Sequence, residues 1–362
     1  MKHSGLLIIL LFLACQGICQ PVSSASPVII GTKHRIKSAI LNEEREFWVS
    51  LPPGYSSAKY APAKYPVLYL FDGDANFHSV TGIVQSLANG PYSKVPQIIV
   101  VGILNTDRTR DLTPTAASRE AYFDKSVPLF KNSGGNAQFI RFLEKELIPC
   151  IDSSYRTDNY KILTGHSFGG LTAVNILLSH TNLFNAYIAI DPSMWWDNNF
   201  LLKRADSLLN SKDFTGVSLF AARAYKEIIP QDTATDMPRS NIAFHKLLDK
   251  YHPKNLNWKH QYYPDDDHGT ISVPATYDAL KFIFRQHRIH VKQAVNDPSI
   301  VQKSFHRLSD ELHHPFHPSE AWLDWMGSYC LSIGKTDAAS AFFKMAAELY
   351  PDSPGINRYR TR

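Results

Sequence analysis

Apolar residues arrive along this chain in two patterns, and their alternation predicts its architecture. The first pattern is the short run that is apolar at consecutive positions. Tyr65-Pro-Val-Leu-Tyr-Leu-Phe71 is one, halted by Asp72-Gly-Asp74, and residues 98–103 are another, while Ala186–Ile190, 217–222 and 258–263 are further strand candidates. Runs apolar on both faces suit parallel strands buried between helices. Ahead of them, residues 35–40 and 45–51 read as two β-rich segments joined at Asn42 and ended by Pro52-Pro-Gly54. The second pattern has helical spacing, as in residues 136–147 with Phe139, Phe142, Leu143 and Leu147. Alternating β and α elements predict a mostly parallel sheet covered on both faces, whose ligands meet it at the carboxyl ends of the strands.

The alternation occupies residues 30–286. Beyond it the strand pattern stops, and residues 287–317, ending in His313, His314, Pro315 and His317, read as a linker. Residues 318–353 are helical in pattern. Gly327, Ala339, Phe343, Ala346 and Pro351 resemble the offsets of one tetratricopeptide repeat, with Gly334-Lys-Thr-Asp337 as its turn. A lone unit of that kind cannot bury its own apolar face, so it is expected to pack on the main domain or on a protein partner.

Composition changes this picture only at the edges. The chain has 362 residues, 44% hydrophobic and 20% charged, which is globular in character. At the start, Lys2 and His3 precede an apolar run and then small residues, the layout of a secretory signal peptide over residues 1–19. The expected location is therefore outside the cytoplasm, periplasmic or secreted, with lipid anchoring at Cys15 as the alternative. A formal net charge of +5, dispersed and without a basic stripe, gives no reason to expect a nucleic-acid partner. Cys150 and Cys330, the two cysteines beyond the leader, read as apolar residues rather than a bridge.

The candidate chemistry centres on Gly165-His-Ser-Phe-Gly169, a serine in a G-x-S-x-G frame between an apolar run and a helical stretch. Such a frame makes Ser167 a nucleophile, provided that a base takes its proton and donors hold the oxyanion. Serine, acid and histidine follow in that order in α/β-hydrolases, which places His268 as the general base. For the acid, Glu227 stands nearest the expected strand end. Asp232, Asp236 and Asp191 remain open alternatives. The oxyanion donors expected are the amides of Phe168 and Asp74.

Asp72-Gly-Asp-Ala-Asn-Phe77, the segment from Asn105 to Pro114, Gly165-His-Ser-Phe-Gly-Gly170, Asp191-Pro-Ser-Met-Trp-Trp196 and His268-Gly269 together resemble the esterase D family. That α/β-hydrolase group includes S-formylglutathione hydrolases, siderophore esterases, feruloyl esterases and antigen 85-type mycolyltransferases. The resemblance implies an α/β-hydrolase fold, a serine carboxylic-ester hydrolase without a cofactor, and a small-molecule or siderophore-like ester as substrate. It implies Ser167 as nucleophile, His268 as base, and Glu227 as acid. An acyltransferase would use the same residues, and an inert scaffold is the alternative of another class. Trp195 and Trp196 are expected to line the substrate pocket, and Arg108 to meet an anionic group of the substrate. Arg110 belongs to the same run, which reads equally as an ion-pair network between Asp107 and Asp111. His313, His314 and His317 lack carboxylate or cysteine partners at ligand spacing, so no metal site is expected of them.

Overall fold

The computed structural model of the chain describes residues 26–117, 119–120, 128–224 and 236–360. The leader at residues 1–19 lies outside them. Residues 26–30 have no regular structure and belong to a unit distinct from the one that begins at Gly31.

From Gly31 on, eight strands form one sheet: β1 (Thr32–Ser38), β2 (Glu43–Ser50), β3 (Tyr65–Leu70), β4 (Ile99–Ile103), β5 (Thr157–His166), β6 (Ala186–Ile190), β7 (Ser218–Ala224) and β8 (Asn257–Tyr263). Their spatial order is β1-β2-β4-β3-β5-β6-β7-β8. β1 pairs antiparallel with β2, and β2 antiparallel with β4, so that Phe47 faces Ile103. All other pairings are parallel. β3 to β8 therefore point one way, and their carboxyl ends share one edge of the sheet.

Period-two alternation divides the strand side chains between two cores. Leu68, Leu70, Ile162, Ile188 and Phe220 pack with α1 (Gly73–Ala88) on one face. Val67, Tyr69, Leu163, Tyr187 and Leu219 pack on the other with α3 (Asn136–Phe142) and α5 (Phe168–Ser179), while the short α2 (Arg108–Leu112) adds Leu112 to that core. Buried from Phe168 to Leu178, α5 has no polar face, as befits a helix enclosed by protein all round. The helix expected over 136–147 continues from α3 through a π-helical turn, Leu143–Leu147, into α4 (Ile148–Ser154). Glu146 of that turn accepts the amides of Ala39 and Ile40 at 2.9 and 3.1 Å, tying down the β1–β2 connection.

Past β6 the helices are α6 (Trp196–Ser211), α7 (Asp236–Tyr251) and α8 (Ser272–Ile283). The expected linker at 287–317 is instead two packed helices, α9 (Val291–Asn296) and α10 (Ser299–Leu312). Val301, Phe305, Leu308 and Leu312 lie on one face at helical spacing and join the core of α1 and α8. His313, in the left-handed conformation, ends α10, and His314 Nε2 reaches Asp158 Oδ1 at 2.6 Å.

The C-terminal hairpin consists of α11 (Glu320–Ser332) and α12 (Thr336–Leu349), followed by α13 (Ile356–Arg360). Its turn falls at Ile333 to Lys335, with Gly334 at φ 73°. Gly327 is required by the close approach of α12, because a Cβ there would stand 2.5 Å from the Phe343 ring. The inner face of the hairpin belongs to the same core as α10. Polar contacts fix it further: Trp322 Nε1 donates to the Pro91 carbonyl at 3.1 Å, and Tyr60 donates to Asp324 at 3.0 Å. Buried Glu320 accepts from the Ala61 amide at 2.8 Å, from the Tyr359 hydroxyl at 2.7 Å and from Ser353. Cys150 and Cys330 are free thiols.

Glu320→Ala should lower the unfolding free energy by about 2–4 kcal/mol, since it orphans several donors at once. Urea denaturation should still show one transition, because hairpin and sheet share a core.

Candidate active site

Parallel register assembles the site. His166 ends β5 opposite Ile190 of β6, and Ile190 lies opposite Ala222 of β7. Ser167 and Asp191 are the next residues on β5 and β6, so they leave neighbouring strands roughly 4.8 Å apart. Both stand at positive φ, 60° for Ser167 and 40° for Asp191, a rare and strained state for residues with a side chain.

Ser167 has ψ −117° and is the residue on which strand turns to helix. Its amide donates to the Ile190 carbonyl at 3.0 Å, and its carbonyl accepts from Leu171 at 2.9 Å and Ser193 at 3.1 Å. The turn is tight enough that a Cβ on Gly165 would lie 2.4 Å from the Gly169 backbone. A Cβ on Gly170 would meet the Ile190 carbonyl at 3.0 Å. Those glycines let β5, α5 and the β6 turn close on one another.

His268 enters from the loop after β8. Asp267 shapes that loop, its side chain accepting the amides of Gly269 and Thr270 at 2.8 and 3.0 Å. His268 Nδ1 lies 2.6 Å from Asp191 Oδ2. An ionised carboxylate only accepts, so Nδ1 carries the proton and Nε2 is left as the basic nitrogen. Asp191 is buried, and its Oδ1 accepts from the Ala224 amide at 3.2 Å and from Asn241 Nδ2 of α7 at 2.9 Å. Three hydrogen bonds thus fix its position facing the imidazole.

His166 packs against His268, ring centroids 4.3 Å apart. Burial, reinforced by the nearby His268, pushes its imidazole down to about 4. At neutral pH it is an uncharged neighbour of the base.

The turn after β3 faces the elbow. Asp72, at φ 53°, caps α1, so the amides of Gly73 and Asp74 occupy first-turn positions without an intrahelical acceptor. Phe168 holds the corresponding position in α5. The Asp72 carboxylate is a clasp: Arg108 Nε and Nη2 reach its two oxygens at 2.6 and 3.0 Å, and Asn105 Nδ2 donates to it at 2.8 Å. Arg108 Nη2 also reaches the His166 carbonyl at 3.4 Å, tying this turn to the elbow.

A cavity of ≈ 570 Å³ is lined among others by Phe130, Trp195, Trp196, Asn198, Leu202 and Arg239. The Phe168 ring contacts Phe130 and Trp195 at centroid distances of 5.6 and 6.2 Å. That volume and aromatic lining suit a small organic ligand.

Several expectations meet their places here. Ser167, His268, Phe168 and Asp74 converge on one edge of the sheet. The sequence ranks Glu227 ahead of Asp191 for the acid, but the Nδ1 position is taken by Asp191. Glu227 and Asp232 lie outside the described residues, as does the side chain of Asp236. Arg108, expected to meet substrate, commits its guanidinium to Asp72. Arg110 pairs with Glu43 and Asp111 in an ion network that includes buried Arg45. Trp195 and Trp196 both line the cavity, and Trp196, largely buried, also donates its indole N–H to Thr115. Sequence reasoning missed Asn241, Ser193 and the Asp72 clasp. Asn241 left one signal, an amide on a helix face otherwise filled by Phe244 and Leu248.

A mostly parallel sheet that hands a strained serine from its central strand to a buried helix is the architecture of the α/β-hydrolases. Residues 38–220, just over half of the chain, match the family model "Esterase: Putative esterase". The chain belongs to that family. A solved structure of an IroE-like serine hydrolase from Shewanella oneidensis superposes with a TM-score of 0.78 at 32% identity, covering 88% of this chain and 99% of that one. Ferri-bacillibactin esterase BesA from Bacillus subtilis is 34% identical over 196 residues, 50% of this chain and 65% of that protein. The siderophore triacetylfusarinine C esterase of Aspergillus fumigatus is 28% identical over 174 residues, 45% and 56% of the two chains. The match thus spans less than two thirds of either of these curated relatives. Asn241 and His268 lie beyond the stretch that the family model covers.

Arg108→Ala should destabilise the fold by about 1–3 kcal/mol, because buried Asp72 loses a charged partner. Thermal denaturation checks this. Acid should weaken the fold through His166 and His245, which burial pushes down to about 4 and about 3 from an ordinary 6.5. Below pH 6.5 the unfolded chain binds protons that these folded imidazoles refuse. Their stabilisation is complete above pH 6.5 and falls as pH drops towards 4, each group costing up to about 1.4 kcal/mol per pH unit. Urea midpoints measured from pH 7 to 4.5 should decrease accordingly.

Proposed function

We propose that this protein is a serine carboxylic-ester hydrolase whose nucleophile, base and acid are Ser167, His268 and Asp191. The observation that carries the reading is the 2.6 Å bond from His268 Nδ1 to a buried carboxylate whose strand neighbour ends in the elbow serine. Ser167 Oγ attacks the ester carbonyl as His268 Nε2 takes its proton. The oxyanion is received by the amides of Phe168 and Asp74. The protonated imidazole, held by Asp191, then gives its proton to the departing alcohol, and water releases the acyl group by the same route. Neutral His166 beside the base adds no positive charge when the imidazolium forms.

Siderophore-type esters are the substrate class we infer. The relatives' names support it, and so does a cavity large enough for an aromatic acyl unit against Phe130 and Trp195. Export through the leader at residues 1–19 is part of this proposal, supported by the charged start, apolar run and small residues of that segment. We read the C-terminal hairpin as a tetratricopeptide-like unit. A protein partner there is a second reading, supported by the exposed Trp325 and Tyr329, which stack on the hairpin with ring centroids 5.3 Å apart.

Asp191→Asn should reduce kcat by about 10²–10⁴, as expected when the imidazole loses its orienting carboxylate. Glu227→Gln should stay within about threefold of wild type. Initial rates on p-nitrophenyl butyrate decide between the two acids, and the reverse ranking would return the role to Glu227. Ferric triester siderophores should be cut to their monomers in a mass-spectrometric assay. Hydrolysis of simple aryl esters with no cleavage of any siderophore would refute the substrate class.

A further inference from the structure

Next to the nucleophile lies a hydroxyl that the triad does not use. Ser193 follows Asp191 by two residues, in the turn that leaves β6, and its side chain is buried, the residue being 1% exposed. Its Oγ is 3.3 Å from Ser167 Oγ, and its amide donates to the Ser167 carbonyl at 3.1 Å. A buried hydroxyl needs a partner. Here the partner is the reacting atom itself.

The direction of that hydrogen bond follows from the reaction. Ser167 has one proton, which must face His268 Nε2 to be abstracted, so between the two serines the donor has to be Ser193. We propose that Ser193 is a further catalytic residue, donating to Ser167 Oγ and accelerating release of the acyl-enzyme. The inference rests on the hydrolase reading above.

Differential binding explains why deacylation is the step affected. In the free enzyme Ser167 Oγ is an alcohol oxygen and already a good acceptor. In the acyl-enzyme it is the bridging oxygen of an ester, whose lone pair is drawn into the carbonyl. When the tetrahedral intermediate collapses, the C–Oγ bond breaks, its electron pair returns to Oγ, and the proton on His268 Nε2 moves to that oxygen as the carboxylic acid leaves. The bond from Ser193 therefore strengthens from acyl-enzyme to transition state, and only such strengthening raises the rate. In acylation it is already formed in the ground state and gains less. A separation of 3.3 Å is long for two hydroxyls at rest. Catalytic hydrogen bonds commonly tighten when charge gathers on the acceptor.

The test is pre-steady-state hydrolysis of p-nitrophenyl butyrate by the whole protein and its Ser193→Ala variant, with intact-mass analysis of quenched samples. The variant should lose about tenfold in kcat, the worth of one hydrogen bond. It should show a burst of p-nitrophenol approaching one equivalent and accumulate a butyryl adduct. KM should fall with kcat, leaving kcat/KM within about threefold of wild type. Ser193→Cys, nearly isosteric with a weaker donor, serves as a second variant and should show a smaller burst in the same direction. Unchanged kcat, or a parallel loss of kcat and kcat/KM without adduct, overturns the inference while the hydrolase reading stands. A wild-type protein that neither turns over esters nor forms an adduct overturns both.

Discussion

The peptide at Ser167 is the constraint on which the rest of the structure turns. At φ 60° and ψ −117° it is a conformation that a side-chain-bearing residue adopts only under compulsion. The compulsion comes from three directions. β5 is buried between β3 and β6, α5 is buried along its length, and Gly165 and Gly169 meet backbone to backbone. None of these leaves the turn room to relax. The cost is of order 1–3 kcal/mol, small against the two cores that impose it. In return the hydroxyl is presented at the strand ends rather than buried within the sheet.

Positive φ recurs at the neighbouring strand ends, Asp72 after β3 and Asp191 after β6. These residues do different work through one geometry. Asp72 turns its carboxylate back onto Arg108 and Asn105 and leaves the amides of α1 facing outward. Asp191 turns its carboxylate across β7 to His268 and is fixed there by Ala224 and Asn241. Because β6 adjoins the nucleophile strand, acid and serine need only register to come together, and the flexible reach is left to the histidine loop.

Much of this was legible in the residues. Strands buried on both faces announce themselves as continuous apolar runs, as β3, β4 and β6 do. The elbow, the histidine after the last strand and the Asp72-Gly-Asp74 turn were legible because tight turns restrict which residues can occupy them. The choice between Glu227 and Asp191 was not. Both stand near expected strand ends in the sequence, and what marks Asp191 is the Asn241 amide that reaches it from a helix fifty residues on, a fact of tertiary packing. Residues 287–317 were misread for another reason: the histidines and prolines near the end of the segment drew attention from the helical spacing of Val301, Phe305, Leu308 and Leu312.

If backbone compression at the elbow is what presents the nucleophile, relieving it should silence Ser167 with every reacting group still in place. The direct measurement is the second-order rate of fluorophosphonate labelling of Gly165→Ala against wild type, with the modified residue located by peptide mass spectrometry. A methyl group 2.4 Å from the Gly169 backbone must push strand and helix apart. A displacement near 1 Å costs about a hundredfold in rate. Labelling of Ser167 slowed by that order, in a variant that still unfolds cooperatively, is the predicted result. Labelling at the wild-type rate would contradict the account.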